Sequence, residues 1–105
     1  MVLARMSKWL FKDGKREKGF YELDATLSDR ARKTVGFRGV VTLLSRDDPN
    51  VGIVITLWTD EEALKASENE VFKLAVQKIL EYTAEPPTVQ NFRLFTAELR
   101  ELSPT

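Results

Sequence analysis

The chain of 105 residues contains no cysteine and no histidine. Without cysteine there is no disulfide, no thiolate nucleophile, no iron–sulfur ligation and no thiolate zinc site, a pattern that fits a reducing compartment. Without histidine there is no Ser-His-Asp triad, no imidazole base, no imidazole-bound zinc and no proximal ligand for haem. Chemistry is left to carboxylates, Lys, Arg, Tyr, Trp, amides or a bound molecule. Long apolar runs are missing too. Lys8, Lys12 and Lys15 interrupt the first one, and Thr56 and Asp60 punctuate the most hydrophobic one, so no segment is expected to span a bilayer. The N-terminus has no small-residue cleavage site after an apolar stretch, so a cytoplasmic location is the expectation.

What the chain does have is an ordinary globular balance. Apolar residues make up 43% and charged residues 30%, which excludes a disordered or a fibrous chain. The length fits one domain over residues 1–105, with a frayed tail over 100–105. Net charge is zero, from 16 basic and 16 acidic residues. The basic excess falls before Asp47 and the acidic excess after it. The basic residues are interspersed with Glu17, Glu22, Asp24 and Asp29, which describes a solvated face rather than a nucleic-acid or membrane surface.

The pattern predicts six elements. Val2 to Phe11 reads as a strand ended by the turn Lys12-Asp13-Gly14-Lys15. Phe20, Leu23, Leu27 and Ala31 recur at helical spacing from Arg16 to about Lys33. Phe37 to Ser45 and Val51 to Trp58 are apolar, β-branched runs joined by a turn-forming segment, hence a hairpin. Thr59 and Glu62 suggest a capping box for a second helical region, which the polar stretch Ser67 to Glu70 divides and Pro86-Pro87 ends. Val89 to Leu99 reads as the last strand. The order β-α-β-β-α-β predicts an α+β, ferredoxin-like split βαβ fold, an antiparallel sheet with both helices on one face. The middle strands are apolar on both faces, so the face without helices needs a cover. A second copy is the economical one, and a homodimer through that face is expected.

Three segments carry a family resemblance: Gly36-Phe37-Arg38-Gly39, then Trp58-Thr59-Asp60-Glu61-Glu62-Ala63-Leu64, then Glu70-Val71-Phe72. Together they resemble the antibiotic biosynthesis monooxygenase superfamily, whose fold is a dimeric α/β barrel that hosts several activities. The resemblance implies a homodimer that binds a small apolar or aromatic molecule, with oxygenation in which the substrate itself activates O₂ and no cofactor or metal takes part. The alternative is a non-catalytic dimerisation or stress-associated module with no open active site. Quinol-oxidising members are implied to use the motif Trp with an Asn before it and a Tyr after it; here those positions hold Trp58, Val54 and Leu64. The haem-degrading branch's Asn, second Trp and His fall on Ser7, Ser67 and Gln77.

Trp58 is thus the catalytic candidate, and equally reads as a buried aromatic locking strand to helix. Ser7, Trp9, Tyr21, Lys78 and Asn91 are the candidate ligand-binding residues, with Arg5 a further polar group able to converge on them. Tyr82, Phe92 and Phe95 either join Trp9 and Tyr21 in lining a cavity for a planar molecule or help fill the core completely.

Overall fold

The computed structural model describes residues 1–102; Ser103, Pro104 and Thr105, the end of the tail expected to fray, lie outside the described residues. The elements are strand β1 (Leu3–Phe11), helix α1 (Arg16–Leu23), a π turn (Asp24–Ser28), α2 (Asp29–Arg32), β2 (Phe37–Leu44), β3 (Val51–Trp58), α3 (Glu61–Ala66), α4 (Glu70–Ile79) with a 3₁₀ turn (Leu80–Tyr82), and β4 (Thr83–Arg93). The strands form one antiparallel sheet in the order β2-β3-β1-β4. This is the expected α+β, ferredoxin-like topology, and the sheet stays open.

Strand alternation decides which side chains meet the helices. Trp9 and Phe11 of β1 and Val54 of β3 pack with Leu23 and Ile79 into one buried cluster, to which Phe20, Leu27, Val40, Val76 and Tyr82 add partial cover. A second cluster gathers Trp58, Ala63 and Leu64 with Leu3, Ala31 and Phe37. The intervening residues face the other way: Met6 pairs with Ile55, which pairs in turn with Val41, and Ile53 pairs with Leu43. No helix covers that face, and these side chains are half-buried or exposed.

The predicted elements differ from the observed ones at three places. The first helix is not one regular stretch. The Asp29 N–H donates to the Asp24 carbonyl, five residues back, which makes a π turn between two α-helical stretches. The N-cap of α3 is Asp60, whose Oδ1 accepts from the Ala63 N–H at 2.9 Å, while the Thr59 hydroxyl donates to the Gly36 carbonyl. Gly36 itself has φ +93, and a Cβ there would run into that of Ala63, so the turn into β2 needs glycine for both reasons. The last strand begins at Thr83 and ends at Arg93, not Val89 to Leu99, and Pro86 and Pro87 lie inside it. Adjacent N–H groups of a strand point to opposite sides, so the free outer edge accommodates one of the two prolines, and the other falls where pairing with β1 is interrupted, between the Lys8–Thr88 and Leu10–Glu85 pairs.

Candidate functional site

Between the helices and the sheet lies a cavity of about 390 Å³, within the range of small-molecule sites. Strand β1 contributes Arg5, Ser7 and Trp9; β3 contributes Val54, Thr56 and Trp58; β4 contributes Pro87 and Val89. The helical side contributes Leu23, Leu27 and Ser28 from the first helical run, Ser67 and Asn69 from the α3–α4 connection, and Phe72 and Val76 from α4. The cavity therefore runs between the two aromatic clusters, with mostly hydrocarbon walls.

Both indole N–H groups are already used. Trp9 Nε1 donates to Ser7 Oγ at 2.9 Å, and Trp58 Nε1 donates to Thr56 Oγ1 at 2.9 Å. Each Trp thus presents its ring to the cavity, and the hydroxyl beside it carries the polar role. The Ser7 proton has only a long 3.5 Å contact with the Val54 carbonyl, and Thr56 donates to no other group among the described residues. Trp58 is 1% exposed and lies edge-on to Phe37, ring centres 5.7 Å apart.

Arg5 is the buried charged group in the wall, 7% exposed. Its Nη1 donates to Ser67 Oγ at 3.1 Å, and its Nη2 donates to the Leu64 carbonyl at 3.0 Å and to Glu68 Oε1 at 2.6 Å. The guanidinium carbon lies 6.0 Å from the Trp58 ring centre and 5.6 Å from that of Phe72, inside the range for cation–π attraction. Burial lowers the Arg5 pKa, and Glu68 pulls it back up. Ser67 is held in turn, its hydroxyl donating to the Leu64 carbonyl at 2.6 Å. Arg5 ties β1 to the end of α3 through these bonds.

Of the predicted site residues, the structure brings Ser7, Trp9 and Trp58 to the cavity. It does not bring Tyr21, Lys78 or Asn91. Tyr21 is 77% exposed on α1, Lys78 is exposed on α4, and Asn91 is exposed on the edge strand beside Leu64. At the positions of the quinol-oxidising set, Val54 lies in the cavity wall and Leu64 in the Trp58 cluster. The haem-branch positions do not fit haem: Ser67 is engaged with Arg5 and Leu64, and Gln77 is exposed. Ser28 and Thr56 were not anticipated. Thr56 shares the parity of Val54 and Trp58, a signal the sequence carries, whereas Ser28 reaches the cavity from the π turn, which the periodicity does not reveal.

Among the described residues, no helix is long and apolar enough to cross a membrane. No curated protein matches the chain in sequence. Solved structures do match. SnoaB, a cofactor-independent oxygenase from Streptomyces nogalater, is similar with a TM-score of 0.79 and 15% identity, over 91% of this chain and 95% of that one. A conserved protein from Methanosarcina mazei Go1 gives a TM-score of 0.78 and 16% identity, over 89% and 92%. A protein from Mycobacterium tuberculosis gives 0.74 and 18%, over 98% and 100%. At these identities the likeness establishes the fold. The family model for antibiotic biosynthesis monooxygenases matches residues 8–78, most of the chain and all of its helices and central strands except the first residues of β1 and the last of α4, and the chain belongs to that family.

Proposed function

We propose that the chain is a homodimeric oxygenase that needs no cofactor and acts on a small, flat, largely apolar molecule bound in the cavity between sheet and helices. The observation that carries this reading is the cavity itself, about 390 Å³ with Trp9 and Trp58 in its walls. A space of that size argues against the alternative, a dimerisation module filled by its own side chains. The likeness to SnoaB, a cofactor-independent oxygenase, supports the reaction type.

In such a reaction the substrate supplies the electrons. An activated aromatic methylene loses a proton, its anion reduces O₂, and the products are a carbonyl and water, so that CH₂ and O₂ become C=O and H₂O. The protein's part is to stack the ring against indole, to offer the Ser7, Ser28 and Thr56 hydroxyls to developing charge on oxygen, and to exclude bulk water. The experiment is a panel of anthrones, quinols and flavones, scored by thermal shift and by oxygen uptake with no additive. A tight ligand at a hundredfold excess over its Kd stabilises by about 2.7 kcal/mol. Absence of both a shift and uptake across the panel would sink the reading.

The homodimer rests on the uncovered sheet face. Val41, Leu43, Ile53, Ile55 and Leu57 lie on it beside Met6 and Phe92, an apolar surface that a lone copy would expose to water. Light scattering on the purified chain is expected to give twice the monomer mass of 12.0 kDa. A monomer at micromolar concentration would count against it.

A further inference from the structure

We propose that the ligand of this cavity is an acid: an apolar ring system carrying an ionised oxygen, a carboxylate or a phenolate, held by the guanidinium of Arg5. This rests on reading the cavity as a ligand site and adds the chemistry that the site selects.

Arg5 has donors to spare. Nη1 gives one N–H to Ser67, and Nη2 gives both of its own, to Leu64 and Glu68. A guanidinium has five, so Nε–H and the second Nη1–H have no partner among the described residues. No side-chain nitrogen or oxygen there is both sealed from solvent and unpartnered, so Nε is not sealed off, and Arg5 lines the cavity.

Glu68, the ion-pair partner of Arg5, does not line the cavity. Glu68 is half exposed while the Arg5 side chain is 9% exposed, so water screens the carboxylate far more than it screens the guanidinium. The other charged residues of the wall are Arg30, Lys33 and Asp29, and Asp29 is held by Lys33 at 3.0 Å. Lys33 is neutralised by the same pair, and Arg30 and Lys33 are exposed to solvent, so the buried guanidinium of Arg5 is the charge held against the apolar walls.

Ser28 supplies an independent observation. It is 4% exposed, it lines the cavity, and its hydroxyl has no partner among the described residues. A helical hydroxyl can bond back to the carbonyl four residues earlier, as those of Thr26 and Thr34 do. For Ser28 that carbonyl belongs to Asp24, which accepts the Asp29 N–H across the π turn and no bond from the Ser28 hydroxyl. With Ser7 and Thr56, the cavity offers three hydroxyl protons beside a guanidinium that can only donate, so an anionic acceptor on the ligand meets its strongest partner at Arg5.

The test compares naphthoate, its neutral analogue naphthamide, and dinitronaphthol, a phenol ionised at neutral pH, by calorimetric titration into the full chain. At least one anion is expected to bind about tenfold more tightly than the amide, the size of one charge-assisted hydrogen bond. The tighter of the two identifies the headgroup. The preference is expected to vanish in Arg5→Gln and to persist in part in Arg5→Lys. Should Arg5→Gln fail to fold, the wild-type pH profile decides: naphthoate affinity falls as its carboxyl protonates, while that of naphthamide stays flat. Equal binding of acid and amide with no pH dependence overturns the acid site and leaves the ligand site standing. Binding of none of the three overturns both.

Discussion

Trp9 and Trp58 stand at opposite ends of the same sheet face, each with its indole N–H tied to a hydroxyl two residues back, and their surroundings differ. Trp9 is surrounded by hydrocarbon: it stacks on Phe11, which meets Phe20 edge-on at 4.9 Å, with Leu23 and Ile79 closing the cluster. Trp58 shares its end with a buried guanidinium, a serine hydroxyl and the last carbonyls of α3. The same local device thus serves two purposes. Both ends border the cavity, but one is closed by packing alone, whereas the other is closed by polar bonds as well.

The comparison breaks most visibly if the aromatic partners of the two indoles are truncated. Phe11 is 0% exposed, so Phe11→Ala is expected to lower unfolding free energy by about 3–5 kcal/mol, through lost transfer energy and the void left behind. Phe37, the partner of Trp58, is only half-buried. Phe37→Ala should cost clearly less in the same urea titration. Equal losses would mean that both ends are packed alike.

A smaller effect is expected at the polar end. Arg5→Met keeps the apolar stem but takes the guanidinium donors from Ser67 Oγ and from the Leu64 carbonyl, which keeps only the Ser67 hydroxyl, for a loss of about 1–3 kcal/mol. Glu68→Gln should change stability by less than about 1 kcal/mol, because that carboxylate is half in water. A larger loss for Glu68→Gln than for Arg5→Met would show that the ion pair, not the bonds to α3, holds this end. If Arg5→Met stabilised the fold, the guanidinium would be a cost retained for ligand binding.

Much of this architecture was legible in the sequence, because it follows from periodicity. The helical spacing of Phe20, Leu23 and Leu27 and the doubly apolar β2 and β3 suffice to order the elements. The parity of β1 places Arg5, Ser7 and Trp9 on one face. What was not legible depends on contacts between distant segments. Lys78 and Asn91 seemed able to converge on the site, yet lie outside its wall, because the rotation of α4 and the early start of β4 depend on packing. Pro86-Pro87 read as a stop, since their place in a strand depends on its edge position and on the interrupted pairing with β1. The π turn at Asp24–Ser28 leaves no mark on composition, and Ser28 was missed with it. The partners of Arg5, Ser67 and Glu68, lie more than sixty residues away, beyond the reach of any local pattern.

The smallest expected effect also separates the two ends. Asp60 caps α3, which roofs the Trp58 end, and takes no part in the Trp9 cluster. Asp60→Ala removes the acceptor of the Ala63 N–H and should cost about 1 kcal/mol, as N-cap losses usually do. Because α3 is a short helix, the loss should appear as local opening. Amide exchange at Leu64 and Ser67, which donate to the Asp60 and Ala63 carbonyls, is expected to quicken, while that of Trp9 and Val54 in the central strands stays unchanged. Uniform quickening across both ends would mean that they unfold as one unit, and that the division drawn between packing and polar closure does not extend to their dynamics.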